Sequence, residues 1–128
     1  MPTLTTPTTS APPQVTPDLW AHIATVLTWL DAANPRTDHE LSMRLMKIGE
    51  ETGEAVAAYI GITGQNPRKG ITHTTDDLAG ELCDVVITAL VALASITGTA
   101  ATAEAAMRTH LERRAPRLAA LTATAAHR

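Results

Sequence analysis

The segment from residue 78 to residue 96 limits the possible folds of this chain more than any other. It is built mainly from leucine, valine, isoleucine and alanine, and as a helix it would be apolar around nearly its whole circumference. A helix that is apolar on all sides is normally buried on all sides, which a four-helix monomer of this size does not easily achieve. We therefore expect this helix to lie at the centre of an oligomer.

One polar stripe interrupts that apolar surface. It consists of Asp77, Glu81, Asp84 and Thr88, spaced four, three and four residues apart. Residues three and four apart lie on the same side of a helix. The stripe is therefore expected to face a cavity.

The remaining sequence predicts an all-α fold of four helices in one domain of a 128-residue chain. Phenylalanine is absent and aromatic residues make up 2%, which favours close helix packing over a sandwich or barrel. The first helix is expected to start at Thr16-Pro17-Asp18 and to end near Asn34. The others are expected at about residues 38–62, from Thr74 or Thr75 to Gly98, and at about 102–115, where Pro116 should end or kink the last helix.

The two ends of the chain differ in composition from its middle. Residues 1–16 are mostly threonine, proline, serine and alanine and are expected to be a disordered tail. Residues 17–116 are expected to form the helical domain, with residues 117–128 as a frayed C-terminal tail. Within the second helix, Leu41, Leu45, Ile48, Ala55 and Tyr59 are spaced for burial.

Charge and cysteine content exclude several classes of protein. The net charge of −3 favours neither a nucleic-acid polymer nor a membrane surface as partner. Cys83 is the single cysteine, which excludes an internal disulfide and fits a reducing compartment. The run from residue 85 to 96 is too short to span a bilayer, and the N-terminus lacks the pattern of a signal peptide. A cytoplasmic protein is expected.

Two acidic pairs point to a metal site. Glu51 and Glu54 share one helix face, and Glu81 and Asp84 share another. Carboxylates at the edge of a core repel one another and lose hydration, so they need a positive partner. Mg²⁺ takes oxygen ligands and tolerates partial hydration, and Mn²⁺ is a possible substitute. The four carboxylates therefore predict a divalent metal site between the two helices.

The same residues resemble a known family. The segment Lys47-Ile48-Gly49-Glu50-Glu51-Thr52-Gly53-Glu54, followed by Glu81-Leu82-Cys83-Asp84 and a long apolar continuation, is similar to the MazG-like all-α nucleoside triphosphate pyrophosphohydrolases. The similarity extends over roughly residues 38–116 and includes the basic end of the last helix. Either acidic motif alone would be weak, and the two in this order are fairly specific.

The resemblance implies a MazG-like bundle that assembles as a homodimer or homotetramer, with sites at subunit interfaces. It implies Mg²⁺-dependent cleavage of a nucleoside triphosphate between the α and β phosphates, giving a monophosphate and pyrophosphate. By motif position, the metal ligands would be Glu51, Glu54, Glu81 and Asp84. Glu50 would hold or deprotonate the attacking water, and the phosphate-binding candidates are Lys47, Arg113 and Arg114.

Other interpretations stay open. The first acidic motif fits a solvated helix face on which Lys47 forms ion pairs with Glu50 and Glu51. Arg113 and Arg114 near a helix C-terminus are favoured by the helix dipole in any case. The protein is then either an enzyme that removes free nucleotides or a non-catalytic module of the same fold that binds nucleotide, metal or a partner. Within the enzyme class, phosphoribosyl-ATP pyrophosphohydrolases share the fold and the acid pattern.

Overall fold

Four helices and no strands make up residues 18–126, the part of the chain that the structure, a computed structural model, describes. They are α1 (Leu19–Ala33), α2 (Asp38–Thr63), α3 (Thr75–Thr97) and α4 (Ala100–Ala125). The predicted all-α class is confirmed. The expected disordered tail, residues 1–16, lies outside the described residues.

An oxygen side chain caps the start of each described helix. The caps are Asp18, Thr37, Thr74 and Thr99, and each accepts a hydrogen bond from a backbone N–H of the first turn. At α3, Thr74 and Asp77 exchange bonds of 2.7 and 3.2 Å in a capping box. The hydrogen bonds from Thr74 lower the pKa of the Asp77 carboxyl. Thr74, one of the two caps predicted for α3, is thus the cap in the structure. The first helix, α1, begins at Leu19, directly after its cap Asp18.

The helix ends depend on glycine in two places. Gly64 after α2 and Gly98 after α3 have φ values of 64° and 117°, which side chains with a Cβ rarely adopt. Of the two effects expected of Pro116, the end of α4 is wrong, since the helix continues through the proline to Ala125. Residues 117–125 of the expected C-terminal tail are therefore helical. All residues from 108 to 126 are exposed, so water can satisfy the carbonyl that proline leaves unpaired. The alanines and leucines that follow are strong helix formers.

The core surrounds the C-terminal half of α3. This half packs against α1, α2 and α4, while α1 and α2 do not pack directly on each other within the described residues. The core consists of small and aliphatic side chains: Ile23, Leu27, Leu90, Val91, Ala94, Ala100 and Ala103. Small residues in α3 and α4 let these two helices pack closely, so the core can be filled with few aromatic side chains.

The N-terminal half of α3 is not covered in one chain. Leu82 and Val86 remain about half exposed, at 52% and 53%. On the neighbouring α2, Leu45 and Tyr59, which were expected to be buried, are also exposed within the chain. The expectation of an all-round buried α3 is therefore not met within one chain, where burial is concentrated between Leu90 and Ser95 and Ile96 is exposed.

The length and composition of α3 would also suit a membrane span. A stretch of 18 residues within it has a mean hydropathy of 1.9, and 28% of that stretch is buried in the fold. The core helix of a soluble protein satisfies the same criteria. Glu81 and Asp84 lie inside the stretch and would be costly charges in a bilayer. Cytoplasmic location remains a prediction.

A network of ion pairs joins α1, α2 and α3 around Arg44. Its guanidinium, 6% exposed, donates to Glu40 at 2.9 Å, to Asp31 at 3.0 Å and to the Ser95 hydroxyl at 2.9 Å. Arg36 donates twice to the same Asp31 carboxylate, at 2.7 and 2.9 Å, and also to the carbonyl of Gly98. Every polar group of this network is paired, as a buried charge requires.

We expect Arg44→Ala to lower the free energy of unfolding by about 2–4 kcal/mol, because it removes a buried side chain and leaves the mostly buried Glu40 carboxylate without its counter-charge. The matched control is Arg108→Ala, which removes an exposed i,i+4 pair with Glu104 and should cost less than about 0.5 kcal/mol. Urea unfolding of the three proteins measures the difference. Equal effects of the two substitutions would show that the network does not hold the helices together.

The same network predicts a pH dependence. The hydrogen bond from Arg36, with a smaller contribution from Arg44, holds the pKa of the Asp31 carboxyl below its ordinary value. A lowered carboxyl pKa stabilises the fold above the unfolded-state pKa of about 3.9, and that stability is lost as the pH falls through the folded-state value. Asp31→Asn should therefore be less stable than wild type at neutral pH, and the difference should narrow below about pH 4. A difference that stays constant down to pH 2 in urea unfolding would contradict this.

Candidate metal centre

Three carboxylates meet where α2 packs against α3. Glu51 on α2 faces Glu81 and Asp84 on α3, and one oxygen from each lies within 4.8 Å of the others. The helices are antiparallel, and the three-residue spacing of Glu81 and Asp84 turns both toward the same side of α3. Two of the four predicted ligands thus come from one helix and a third from its neighbour, as the sequence indicated.

The donor set fits a hard divalent cation. A cation placed centrally would lie at most about 2.8 Å from each oxygen, compared with about 2.1 Å for Mg²⁺ and about 2.3–2.6 Å for Ca²⁺. Small side-chain rotations would close that gap. Carboxylates are the ligands these ions prefer, and exposure of Asp84 leaves room for water to complete the coordination.

Negative charge is in local excess around Glu51. Burial, with the side chain 14% exposed, raises the pKa of the Glu51 carboxyl, and the nearby charges of Glu54 and Asp84 raise it further. Lys47, at 3.6 Å, opposes the shift only in part. The charged form of Glu51 is therefore less favourable here than in water, and Lys47 offsets only part of that cost.

Glu54 and Glu50 lie beside the cluster but not within it. Glu54 is close enough to Glu51 to hydrogen-bond with its carboxyl, yet it is exposed and outside the group of three converging oxygens. Glu50, also exposed, forms an ion pair with Lys47 at 2.9 Å. The role of Glu54 as a metal ligand and the role of Glu50 in holding or deprotonating water stay predictions.

Lys47 bridges Glu50 and Glu51. Its pKa is raised above the ordinary value, chiefly by the hydrogen bond to Glu50, so the ammonium stays charged at neutral pH. These are the two ion pairs of the alternative interpretation, a solvated face of α2. The two interpretations are compatible, because a lysine held at the edge of an acidic cluster is also placed to meet a phosphate.

Arg113 and Arg114 lie away from this cluster. Both are exposed on the part of α4 that extends beyond the bundle, and α4 makes no contact with α2 within residues 18–126. The single chain therefore does not bring these arginines to the carboxylates. Their predicted role in phosphate binding would require a second copy of the chain.

A cavity of about 440 Å³ adjoins the cluster, in the space between α1 and α2. Most of its lining is apolar, with contributions from Val26, Trp29, Leu30, Met43, Ile87 and Val91. Lys47 and Thr88 also line it, and each lies one helical turn from a carboxylate of the cluster, Glu51 and Asp84 respectively. The cavity therefore comes within about one helical turn of the acidic cluster.

The cavity contains groups that sequence reasoning missed. Trp29, which belongs to no motif recognised in the sequence, is 69% exposed at the cavity. Arg44 and Glu40, which line the cavity as part of the ion-pair network, carried no recognised motif. The cavity depends on the separation of α1 from α2, and no local sequence signal specifies that distance.

Comparisons with protein-family models, with curated proteins and with solved structures find no match for this chain. The resemblance to MazG-like enzymes therefore rests on the motif residues of the sequence and stays a prediction.

We expect Mg²⁺ or Mn²⁺ to raise the melting temperature, because a ligand that binds only the folded state stabilises it. At ten times the Kd, the rise should be roughly 5–10 °C for a domain of this size. Asp84→Asn should abolish the rise, whereas Glu112→Gln, an exposed acid on α4, should retain it. Equal melting temperatures of wild type in Mg²⁺ and in EDTA would contradict the predicted metal site.

Proposed function

We propose that this protein hydrolyses a nucleoside triphosphate between the α and β phosphates in the presence of Mg²⁺. The observation that carries the proposal is the convergence of Glu51, Glu81 and Asp84 from two helices beside a mostly apolar cavity. A nucleoside triphosphate consists of a strongly anionic phosphate chain and a less polar nucleoside. The acidic cluster would meet the phosphates through a cation, and the mostly apolar cavity would hold the nucleoside. Removal of free nucleotides from the cellular pool is the corresponding biological role.

The acidic residues would hold Mg²⁺, or Mn²⁺ in its place, through Glu51, Glu81 and Asp84, with Glu54 as a fourth ligand. When bound, such an ion neutralises triphosphate charge and lowers the pKa of bound water. The raised pKa of the Glu51 carboxyl supports this assignment, because a cation would relieve the unfavourable charge.

The other residues would orient the reaction. Glu50 directly precedes Glu51 in the sequence. It would accept a proton from the water that attacks the α phosphorus. The bond from that phosphorus to the α–β bridging oxygen breaks, and pyrophosphate leaves with the bridging oxygen. Lys47 is charged and lies between cluster and cavity, where it would hold a phosphate oxygen.

The cavity would hold the nucleoside. Its volume of about 440 Å³ lies within the range of about 300–1,000 Å³ typical of small-molecule sites. Trp29 and Ile87 offer apolar surface for a base, and Asn34 offers a polar contact. Arg113 and Arg114 would reach the phosphates only from a second copy of the chain.

The alternative is a non-catalytic module that binds nucleotide or metal. The ion pairs of Lys47 with Glu50 and Glu51 favour the non-catalytic module, because they neutralise the charge of the lysine without any ligand. In either case we propose a cytoplasmic homo-oligomer with neither a nucleic-acid polymer nor a membrane as partner. For the enzyme, the ligand is a free nucleotide. Phosphoribosyl-ATP stays open as a substrate.

The proposal is tested with a panel of standard and modified triphosphates, including phosphoribosyl-ATP, assayed for pyrophosphate and orthophosphate separately. We expect pyrophosphate release that requires Mg²⁺. Glu51→Gln should lose Mg²⁺ affinity and turnover together, whereas Glu50→Gln should keep most of the affinity and lose about a hundredfold or more in rate. Glu112→Gln is the control and should match wild type.

Two results would contradict the proposal in different ways. Release of orthophosphate and a diphosphate would mean that the site is catalytic but cleaves at another bond. Binding of a triphosphate with Mg²⁺, measured by calorimetry, without release of either product would establish the non-catalytic module.

A further inference from the structure

The cavity between α1 and α2 has a second polar end, away from the acidic cluster. Lys47 and Thr88 lie at the end near the cluster, whereas Glu40 and Asn34 lie at the other end. Glu40 and Lys47 are seven residues apart on one face of α2, which is about 10 Å along the helix axis. The wall between the two ends is mostly apolar and includes Trp29. The cavity is therefore a short apolar passage with a polar group at each end.

Glu40 is held at its end of the cavity by Arg44. Its Oε1 accepts a hydrogen bond of 2.9 Å from Nε of Arg44, and the Glu40 side chain is 17% exposed. The same guanidinium donates to Asp31, to the hydroxyl of Ser95 and to the backbone carbonyl of Asn34. These further bonds fix the guanidinium, so the Glu40 carboxylate keeps one orientation.

The second carboxylate oxygen of Glu40, Oε2, accepts no hydrogen bond from residues 18–126. Every side-chain nitrogen or oxygen that is sealed from solvent in that part of the chain has a hydrogen-bond partner. Oε2 is therefore not sealed, and Glu40 is a residue of the cavity wall. An ionised carboxylate accepts hydrogen bonds and does not donate them, so this end of the cavity presents a fixed acceptor.

The usual local role of a glutamate at this position is not used. Thr37 caps α2 and Glu40 is the third residue of the helix, which is the sequence pattern of a capping box. In such a box the acidic side chain accepts from the backbone N–H of the cap, as Asp77 does for Thr74. The N–H of Thr37 donates to the carbonyl of Pro35 instead. The Glu40 carboxylate is therefore directed to Arg44 and the cavity, and capping does not explain it.

The placement of the phosphates decides which part of a base meets Glu40. With the phosphates at Lys47, the sugar and the base extend along the cavity, and the part of the base farthest from the sugar reaches Glu40. That part is the substituent on C4 of a pyrimidine or on C6 of a purine. Cytosine and adenine carry an amino group there, which donates hydrogen bonds, whereas uracil, thymine and guanine carry a carbonyl, which only accepts.

We propose that Glu40 selects nucleotides whose base carries an amino group at this far position, cytosine and adenine, over nucleotides with a carbonyl there. The selection rests on the proposed function only in that a nucleotide occupies the cavity with its phosphates towards Lys47. A carbonyl would face Oε2 as a second acceptor and leave the hydrogen bond unmade. Asn34 does not discriminate in this way, because an amide can present either its N–H or its oxygen.

Binding without turnover is the first test, measured by calorimetry with the α,β-methylene analogues of dCTP and dUTP in Mg²⁺. Wild type should bind the dCTP analogue at least tenfold more tightly, as expected for a hydrogen bond to a charged group. The corresponding adenosine and inosine analogues should show the same preference for the amino base. Equal affinities for the members of each pair would overturn the proposal without any variant being needed.

Glu40→Gln should reverse the preference, because glutamine can accept from Arg44 through its amide oxygen and present an N–H to the cavity. The matched control is Asp31→Asn, which removes a charge from the same ion-pair network but not from the cavity wall. Its ratio of affinities should equal that of wild type, even where its melting temperature is lower. Circular dichroism establishes that both variants are folded. An equal loss of affinity for both analogues in Glu40→Gln would overturn the proposal, since Glu40 would then act only through stability.

Turnover distinguishes the selectivity from the proposed hydrolysis. Selective binding without release of pyrophosphate from dCTP or ATP would support the selectivity and overturn the hydrolysis. Pyrophosphate release with equal kcat/KM from dCTP and dUTP would support the hydrolysis and overturn the selectivity. Failure of every triphosphate and analogue to bind would overturn both.

Discussion

The side chain of Arg44 is the contact on which the rest of the structure depends. α1 and α2 do not pack on each other, so their relative position is set by α3 and by the ion pairs from Arg44 to Asp31 and Glu40. The guanidinium also reaches the hydroxyl of Ser95 on α3. One buried cation therefore ties three helices together, and a planar group with five donors suits this role better than a lysine would.

The gap that Arg44 bridges becomes the cavity of the candidate site. Because α1 stands off from α2, side chains such as Trp29 and Met43 line open space and do not pack into a common core. Along the same side of the α2–α3 pair, the lining changes from apolar to acidic within one helical turn beyond Lys47. The acidic end has a local excess of negative charge, which is expressed in the raised pKa of the Glu51 carboxyl.

The α2–α3 pair has a different chemistry on each side. The side of the cavity carries carboxylates and a lysine, and the opposite side exposes apolar residues such as Val56 and Leu82. The apolar circumference of α3 is therefore used unevenly. Most of its C-terminal half is buried by the chain's own helices, whereas Leu82 and Val86 in its N-terminal half stay about half exposed.

The sequence by itself determined the local structure. Caps such as Thr74 and the glycines after α2 and α3 fix the helix boundaries, because their effects act within one turn. The meeting of Glu51 with Glu81 and Asp84 was also predictable from helical spacing on adjacent helices. Only the tertiary structure decided the rest. Whether α4 stops at Pro116 depends on solvent access to one carbonyl, and whether Arg114 approaches the acids depends on where α4 points. The roles of Arg44 and Trp29 depend on the distance between α1 and α2, which is set by contacts between residues far apart in the chain.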